Sequence, residues 1–202
     1  MDELLRVMEE YAAMRTIPVI GRDSAALLAA AVADVRPQAI LEIGTAIGYS
    51  TLLMAEQAPA DAVITTIEVD ADRAAAAEAF FRRSRHAGRI ELLVGDAASV
   101  LPGLAGAYDF LFIDAAKAHY LEYLAKALDK LRPRAVVFAD NVHFYGLVAA
   151  ERPPRRMRTL VKRMRAYLEF VNSDPRFSTT IHPIGDGVAI YRFQGDETNA
   201  HS

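Results

Sequence analysis

The sequence predicts an α/β fold: a mostly parallel sheet with helices on both faces. Between residues 39 and 140, short apolar runs alternate with stretches of helical periodicity. Those runs are almost continuously apolar, as in strands covered on both faces, and do not alternate like half-solvated ones. Several of them end in an acid or amide beside glycine or alanine, notably Asp114 in FIDAAK and Asp140–Asn141 in FADN. In an open parallel sheet that is the rim where ligands bind.

The elements follow in order. Residues 2–15 carry Leu4, Leu5, Met8, Tyr11 and Ala12 at helical spacing, and Pro18 ends the pattern. A second helix is expected from Asp23 or Ser24, either a fair N-cap, to about Val35 before Pro37. Strands are expected at 39–43, 63–68, 90–94, 108–114 and 135–140, with helices near 49–57, 71–85, 97–101 and 118–131 between them. A helix at about 159–172 is followed by 177–184, GDG and 187–193, which reads as a hairpin with Gly187 in its turn. The polar segment 194–202 is expected to be a frayed or disordered tail. There is no internal repeat.

At 202 residues, 52% apolar and 24% charged, the chain suits one domain over 1–202, with 1–35 as capping helices. No apolar run reaches the length of a membrane span, and the acidic N-terminal segment does not resemble a secretory signal. A cytoplasmic location is therefore expected. With no cysteine, thiolate metal sites and disulfides are excluded.

Two groups on the rim carry chemistry. In LEIGTAIGYS, Gly44 and Gly48 fall in the loop after a strand, where a missing Cβ allows close backbone approach. Glu68 ends the next strand and has the reach to accept from both hydroxyls of a ribose. The spacing is GxxxG, not the dinucleotide fingerprint, so it points to an adenosine without a pyrophosphate. Asp96, followed by Ala97, stands on the same rim, placed to meet an adenine amino group or to cap a helix.

The second group is Asp114, Asp140 and Asn141, two carboxylates and an amide oxygen suited to a hard cation such as Mg²⁺. Single strand-terminal Asp or Asn residues more often form turns, but three on one rim favour a site. Lys117, three residues after Asp114, has the reach to serve there as a general base. Together the groups indicate group transfer.

The motifs LEIGTAIGYST, TIEVD, VGDA, DFLFIDAAKAHY, FADN and PIGDGVAIY resemble the cation-dependent, S-adenosylmethionine-dependent O-methyltransferases of the catechol and caffeoyl-CoA type, over residues 16–193. Within that family the chain most resembles the small bacterial branch containing the tRNA 5-hydroxyuridine methyltransferase. The resemblance implies a Rossmann-like class I methyltransferase fold, seven-stranded, with an antiparallel last strand. It also implies that Asp114, Asp140 and Asn141 hold the metal and that Lys117 is the base. Ile20, Glu42, Gly44, Ser50, Glu68, Asp96 and Ala97 would surround S-adenosylmethionine, with Asp114 near its amino group. The chain departs from the bacterial pattern in VHFYG, where His143, Phe144 and Tyr145 replace an aliphatic and a basic residue. Its GDGVAIY segment lacks the acid that clamps substrate in animal catechol enzymes.

For the substrate, residues 152–165 carry seven Lys or Arg and no acid, and Arg82, Arg83, Arg85, Arg89 and His86 form a second basic group. Such local charge suits a polyanion even at a net charge of −3, unless these side chains pair with neighbours such as Glu151 and Glu169. Tyr145 is placed to stack on an unpaired base, with Arg152, Arg155, Arg156 and Arg158 beside it on phosphates. The leading expectation is methylation of 5-hydroxyuridine at the tRNA wobble position, giving 5-methoxyuridine. The alternatives are a small catechol-like or caffeoyl-CoA-like substrate, or a non-catalytic RNA-binding or cofactor-sensing protein. The amphipathic first helix suggests a homodimer.

Overall fold

The structure is a computed structural model that describes residues 2–195. Its elements are α1 (Asp2–Arg15), α2 (Arg22–Val35), β1 (Ala39–Ile43), α3 (Tyr49–Gln57), β2 (Val63–Glu68), α4 (Ala71–Arg83), β3 (Ile90–Val94), α5 (Ala97–Val100), β4 (Tyr108–Ile113), α6 (Tyr120–Ala127), β5 (Leu131–Ala139), α7 (Arg158–Ser173), β6 (Phe177–His182) and β7 (Val188–Phe193). The seven strands form one sheet in the order β3-β2-β1-β4-β5-β7-β6, in which β7 alone runs against its neighbours. This is the Rossmann-like arrangement expected from the motifs.

Alternate residues of the strands serve two cores. Leu41, Leu111, Ile113 and Val137 pack under α5, α6 and α7, whereas Ile40, Phe110, Phe112 and Phe138 pack under α1 to α4. Each face therefore excludes water from the sheet, which is why these strands tolerate almost no polar residue. The exceptions are Glu42 on β1, which is fully buried, and Thr65, Thr66 and Glu68 on β2, each buried with a hydrogen-bond partner.

The order reverses between β1 and β4, so the loops leaving those strands diverge toward opposite faces and open a crevice. Gly44 sits there with φ +102°. A Cβ at that position would fall 2.8 Å from the Asp114 carbonyl carbon, so only glycine lets the two loops approach this closely.

Several boundaries differ from those expected. Helix α2 starts at Arg22 with Gly21 as N-cap and no side-chain cap, so neither Asp23 nor Ser24 caps it. Ser24 instead lies inside the helix, buried, because it has a partner on the sheet. Strand β5 begins at Leu131, not 135: Leu131 pairs with Tyr108 of β4, and the exposed segment 132–134 bulges before pairing resumes at Phe110–Val136. The long helix expected over 118–131 is an α-helix of eight residues between 3₁₀ turns at Lys117–His119 and Leu128–Lys130. Of the terminal tail, Gln194 N–H donates to Arg176 O (2.7 Å), and 196–202 lie outside the described residues. No helix among the described residues is long and apolar enough to cross a membrane.

Candidate functional site

A cavity of about 680 Å³ opens at the reversal point, over the C-terminal ends of β1, β2, β4 and β5. Ile20, Gly44, Ser50, Glu68, Asp96, Ala97, Asp114, Lys117, Asn141 and Tyr145 line it, so ten residues singled out from the sequence converge on one volume. Glu42 and Asp140 do not line it, being fully buried directly behind its wall.

On the β1–β2 side the backbone fixes the wall. Glu68 accepts from Ala46 N–H through Oε2 (2.7 Å) and from Asp70 N–H through Oε1 (2.9 Å), which sets its carboxylate on the rim. Each oxygen retains further acceptor capacity for a ligand hydroxyl. Asp96 is the N-cap of α5, accepting from Ala98 N–H (3.1 Å), and also faces the cavity, so its two expected roles coexist. Glu42 accepts from Ser50 Oγ (2.5 Å), Thr66 Oγ1 (2.6 Å) and Thr51 Oγ1. Burial nevertheless outweighs these three hydroxyls and raises its pKa to about 7. Through Ser50, which does line the cavity, Glu42 anchors the start of α3.

On the β4–β5 side, Lys117 Nζ donates to Asp114 Oδ1 (2.8 Å) and to the Tyr120 phenolic oxygen (2.7 Å). Tyr120 is fully buried, and its single hydroxyl hydrogen lies between two backbone carbonyls, those of Asp140 (3.0 Å) and Ile113 (3.2 Å). Burial, reinforced by the Asp114 charge, raises the Tyr120 pKa well above that of a free phenol and keeps it a neutral donor. Asn141 adopts φ +55°, a left-handed turn that asparagine accepts more readily than most residues.

The donor set fits a divalent cation on three counts. Asp140 Oδ2 is buried and has no hydrogen-bond partner among the described residues, although buried carboxylate oxygens are normally satisfied. Burial first, and then the nearby Asp114 charge, raises the Asp140 pKa, as two carboxylates brought close together do. Asn141, on the cavity wall, adds a neutral oxygen. The set depends on that amide, since no three His, Cys, Asp or Glu side chains converge among the described residues.

The basic residues are distributed differently from what their sequence clustering implied. Arg152 and Arg158 line a separate depression against α7, and neither they nor Arg155 and Arg156 reach the cavity. Among the described residues, neither Glu151 nor Glu169 forms an ion pair with these arginines; Arg165 instead donates to the carbonyls of Val148 (2.8 Å) and Ala150 (2.5 Å). The second basic group is committed to local structure. Arg82 pairs with Glu78, Arg85 and His86 pair with Glu56, and Arg89 binds backbone carbonyls at the end of α3. Arg83, the remaining member, lies over the Phe80 ring, so most of the group's charge is engaged locally.

Sequence reasoning missed Ser24 and Tyr120, which reach the site through other residues, and His119, Tyr123 and Arg73 on the cavity wall. Only His119 and Tyr120 carried a signal, as the last two residues of the FIDAAKAHY motif.

A sequence model of a family described as O-methyltransferase matches residues 1–193. The caffeoyl-CoA O-methyltransferase of Stellaria longipes is 28% identical over 202 residues, covering 95% of this chain and 82% of the relative. A catechol O-methyltransferase of Niastella koreensis is 40% identical over 116 residues, covering 55% of this chain and 52% of the relative. Among solved structures, the O-methyltransferase TomG from Streptomyces achromogenes, in complex with S-adenosylmethionine, superposes with a TM-score of 0.87 at 28% identity, covering 96% of this chain and 91% of that one.

Proposed function

This chain belongs to the O-methyltransferase family and is an S-adenosylmethionine-dependent enzyme, and from that premise we propose that it methylates one of two adjacent oxygens on an aromatic ring, with a divalent cation, Mg²⁺ foremost, held by Asp114, Asp140 and Asn141. The observation that carries the reading is Asp140 Oδ2, buried behind the cavity wall formed by Asp114 and Asn141 and without a hydrogen-bond partner among the described residues.

The cofactor supplies an electrophilic methyl group, and the cation supplies the charge that makes a neighbouring hydroxyl acidic. The rest falls to the chain. Glu68 and Asp96 orient the ribose and adenine, while Ile20, Gly44, Ser50, Ala97 and Asp114 shape the part of the cavity for the methionine end and ring. Glu42 supports that wall from behind through Ser50. Lys117 Nζ, acting as the neutral amine, takes the hydroxyl proton and becomes the ammonium that Asp114 and Tyr120 hold in place. Holding the reactants at attack distance supplies much of the rate.

Catechol and the caffeoyl group, named for the two relatives, both present vicinal ring oxygens, and a cavity of about 680 Å³ has room for such a ring beside a nucleoside. Tyr145, 83% exposed at the mouth, is placed to cover it. The tRNA reading stands second. It is supported by Arg152, Arg155, Arg156 and Arg158, which are exposed and carry no ion pair among the described residues, but these lie away from the cavity wall. 5-Hydroxyuridine offers the same adjacent pair, a hydroxyl next to a carbonyl.

Incubation with methyl-labelled cofactor and, separately, catechol, caffeoyl-CoA and tRNA containing 5-hydroxyuridine tests both readings, each with Mg²⁺ or EDTA. Label in catechol or caffeoyl-CoA that EDTA abolishes is the expected result. Label in tRNA alone, lost when the four arginines are changed to glutamate, would replace the first reading with the second. Undiminished transfer in EDTA would refute the cation.

A further inference from the structure

We infer that Ser24 is a positioning residue of the cation site, holding the Asp140 carboxylate so that Oδ2 is the oxygen left for the cation. The inference rests on the proposed ligand role of Asp140. Ser24 lies in the first turn of α2, 2% exposed, and its Oγ donates to Asp140 Oδ1 (3.0 Å) across 116 residues of sequence. Oδ1 also accepts from the Asn141 backbone N–H (2.9 Å), whereas Oδ2 accepts from nothing among the described residues.

The two donors are not equivalent. Asn141 N–H is adjacent to Asp140 in the chain, so it moves with the loop that carries the carboxylate. Ser24 belongs to a different element, so its bond fixes the carboxylate relative to the body of the protein. The β6–β7 turn passes beside the hydroxyl, and glycine at 185 leaves it room: a Cβ built there would stand only 3.0 Å from Ser24 Oγ. A neutral donor also orients Asp140 without cancelling its negative charge, which a lysine or arginine at this place would do. The segment Pro18–Ile20, just before α2, lines the cavity, so Ser24 ties that wall to the cation side.

The test is Mn²⁺ binding by the full chain, read from the electron paramagnetic resonance of the free ion, with no substrate present. Ser24→Thr and Ser24→Val are nearly equal in volume and differ in the hydroxyl. Mn²⁺ is expected to bind Ser24→Val about tenfold more weakly than Ser24→Thr, the usual scale for losing a bond to a metal ligand. Equal affinities in the two variants would overturn the inference. Absence of Mn²⁺ binding in the unaltered protein would overturn the cation reading beneath it, a separate result. Should the added methyl groups prevent folding in both variants, Ser24→Ala against the unaltered protein decides by the same criterion, with its cation-free melting temperature confirming the fold.

Discussion

Gly44 and the backbone of Asp114 approach so closely that no side chain fits between them: a Cβ on Gly44 would lie 2.8 Å from the Asp114 carbonyl carbon and nearer still to its oxygen. The loops after β1 and β4, proposed to serve the cofactor and the cation, meet at this contact and are joined also by the Asp114 N–H to Ile43 O bond (3.0 Å). One consequence is that the two halves of the site are set by a single glycine.

Gly44→Ala is therefore expected to lower stability by about 2 kcal/mol or more, combining a left-handed φ of +102° with a backbone clash. Urea unfolding of the variant measures it. Because the clash is at the site, cofactor affinity is expected to fall as well, read by calorimetric titration with S-adenosylhomocysteine.

Glu42 makes stability depend on pH. Its pKa is raised to about 7 in the folded protein, whereas an unfolded glutamate titrates near its ordinary value of 4.5. Between those values the folded state binds the extra proton, so this group's contribution declines as pH rises from about 4.5 to about 7 and then levels off. The full change is on the order of 3 kcal/mol. Glu42→Gln removes it, so without cofactor the variant should gain in melting temperature relative to the parent as pH is raised from 5 to 7. Parallel pH profiles would show that Glu42 is not protonated at neutral pH.

Lys117 and Tyr120 should separate in kinetics. Loss of the proposed base in Lys117→Met is expected to lower kcat by about 10²–10⁴-fold. Tyr120→Phe keeps the base but removes its 2.7 Å partner and the links to Asp140 O and Ile113 O. Its kcat should fall less, by about tenfold, the equivalent of one hydrogen bond's stabilisation. Single-turnover methyl transfer with the preferred acceptor gives both values, and an unimpaired Lys117→Met would remove the base from the mechanism.

Arg89 is a structural residue. Its guanidinium closes the end of α3 by donating to the carbonyls of Ala55, Pro59 (2.7 Å) and Ala62 (3.2 Å), groups that no helical N–H can reach. Arg89→Met should cost about 2 kcal/mol in urea unfolding, the scale for hydrogen bonds from a charged donor, and leave cofactor affinity within a factor of about two. A large loss of cofactor affinity at unchanged stability would contradict this assignment.

Much of this protein was legible in its sequence, for identifiable physical reasons. Strands buried on both faces must be almost wholly apolar, so β1, β4 and the later part of β5 stood out. The residues at their C-terminal ends were legible too, because a parallel sheet brings all those ends to one rim. This located Gly44, Glu68, Asp96, Asp114 and Asn141 around one cavity without knowledge of the strand order. Boundaries were less accessible. The charged start of β5 belongs to the strand because Leu131 pairs with Tyr108 of β4 ahead of a register shift, a relationship that Arg132–Arg134 do not reveal.

What only the tertiary structure decided is which polar groups meet. Ser24 has the composition of a helix cap, and its bond to Asp140 exists because α2 packs beside the end of β5. Arg82, Arg85, His86 and Arg89 have the composition of an anion site, yet folding places Glu78, Glu56 and the carbonyls ending α3 within their reach. Hydrophobic periodicity is a local property and can be read along a chain. Hydrogen bonds and ion pairs act over about 3 Å between residues far apart in sequence, so their partners are settled only when the elements pack.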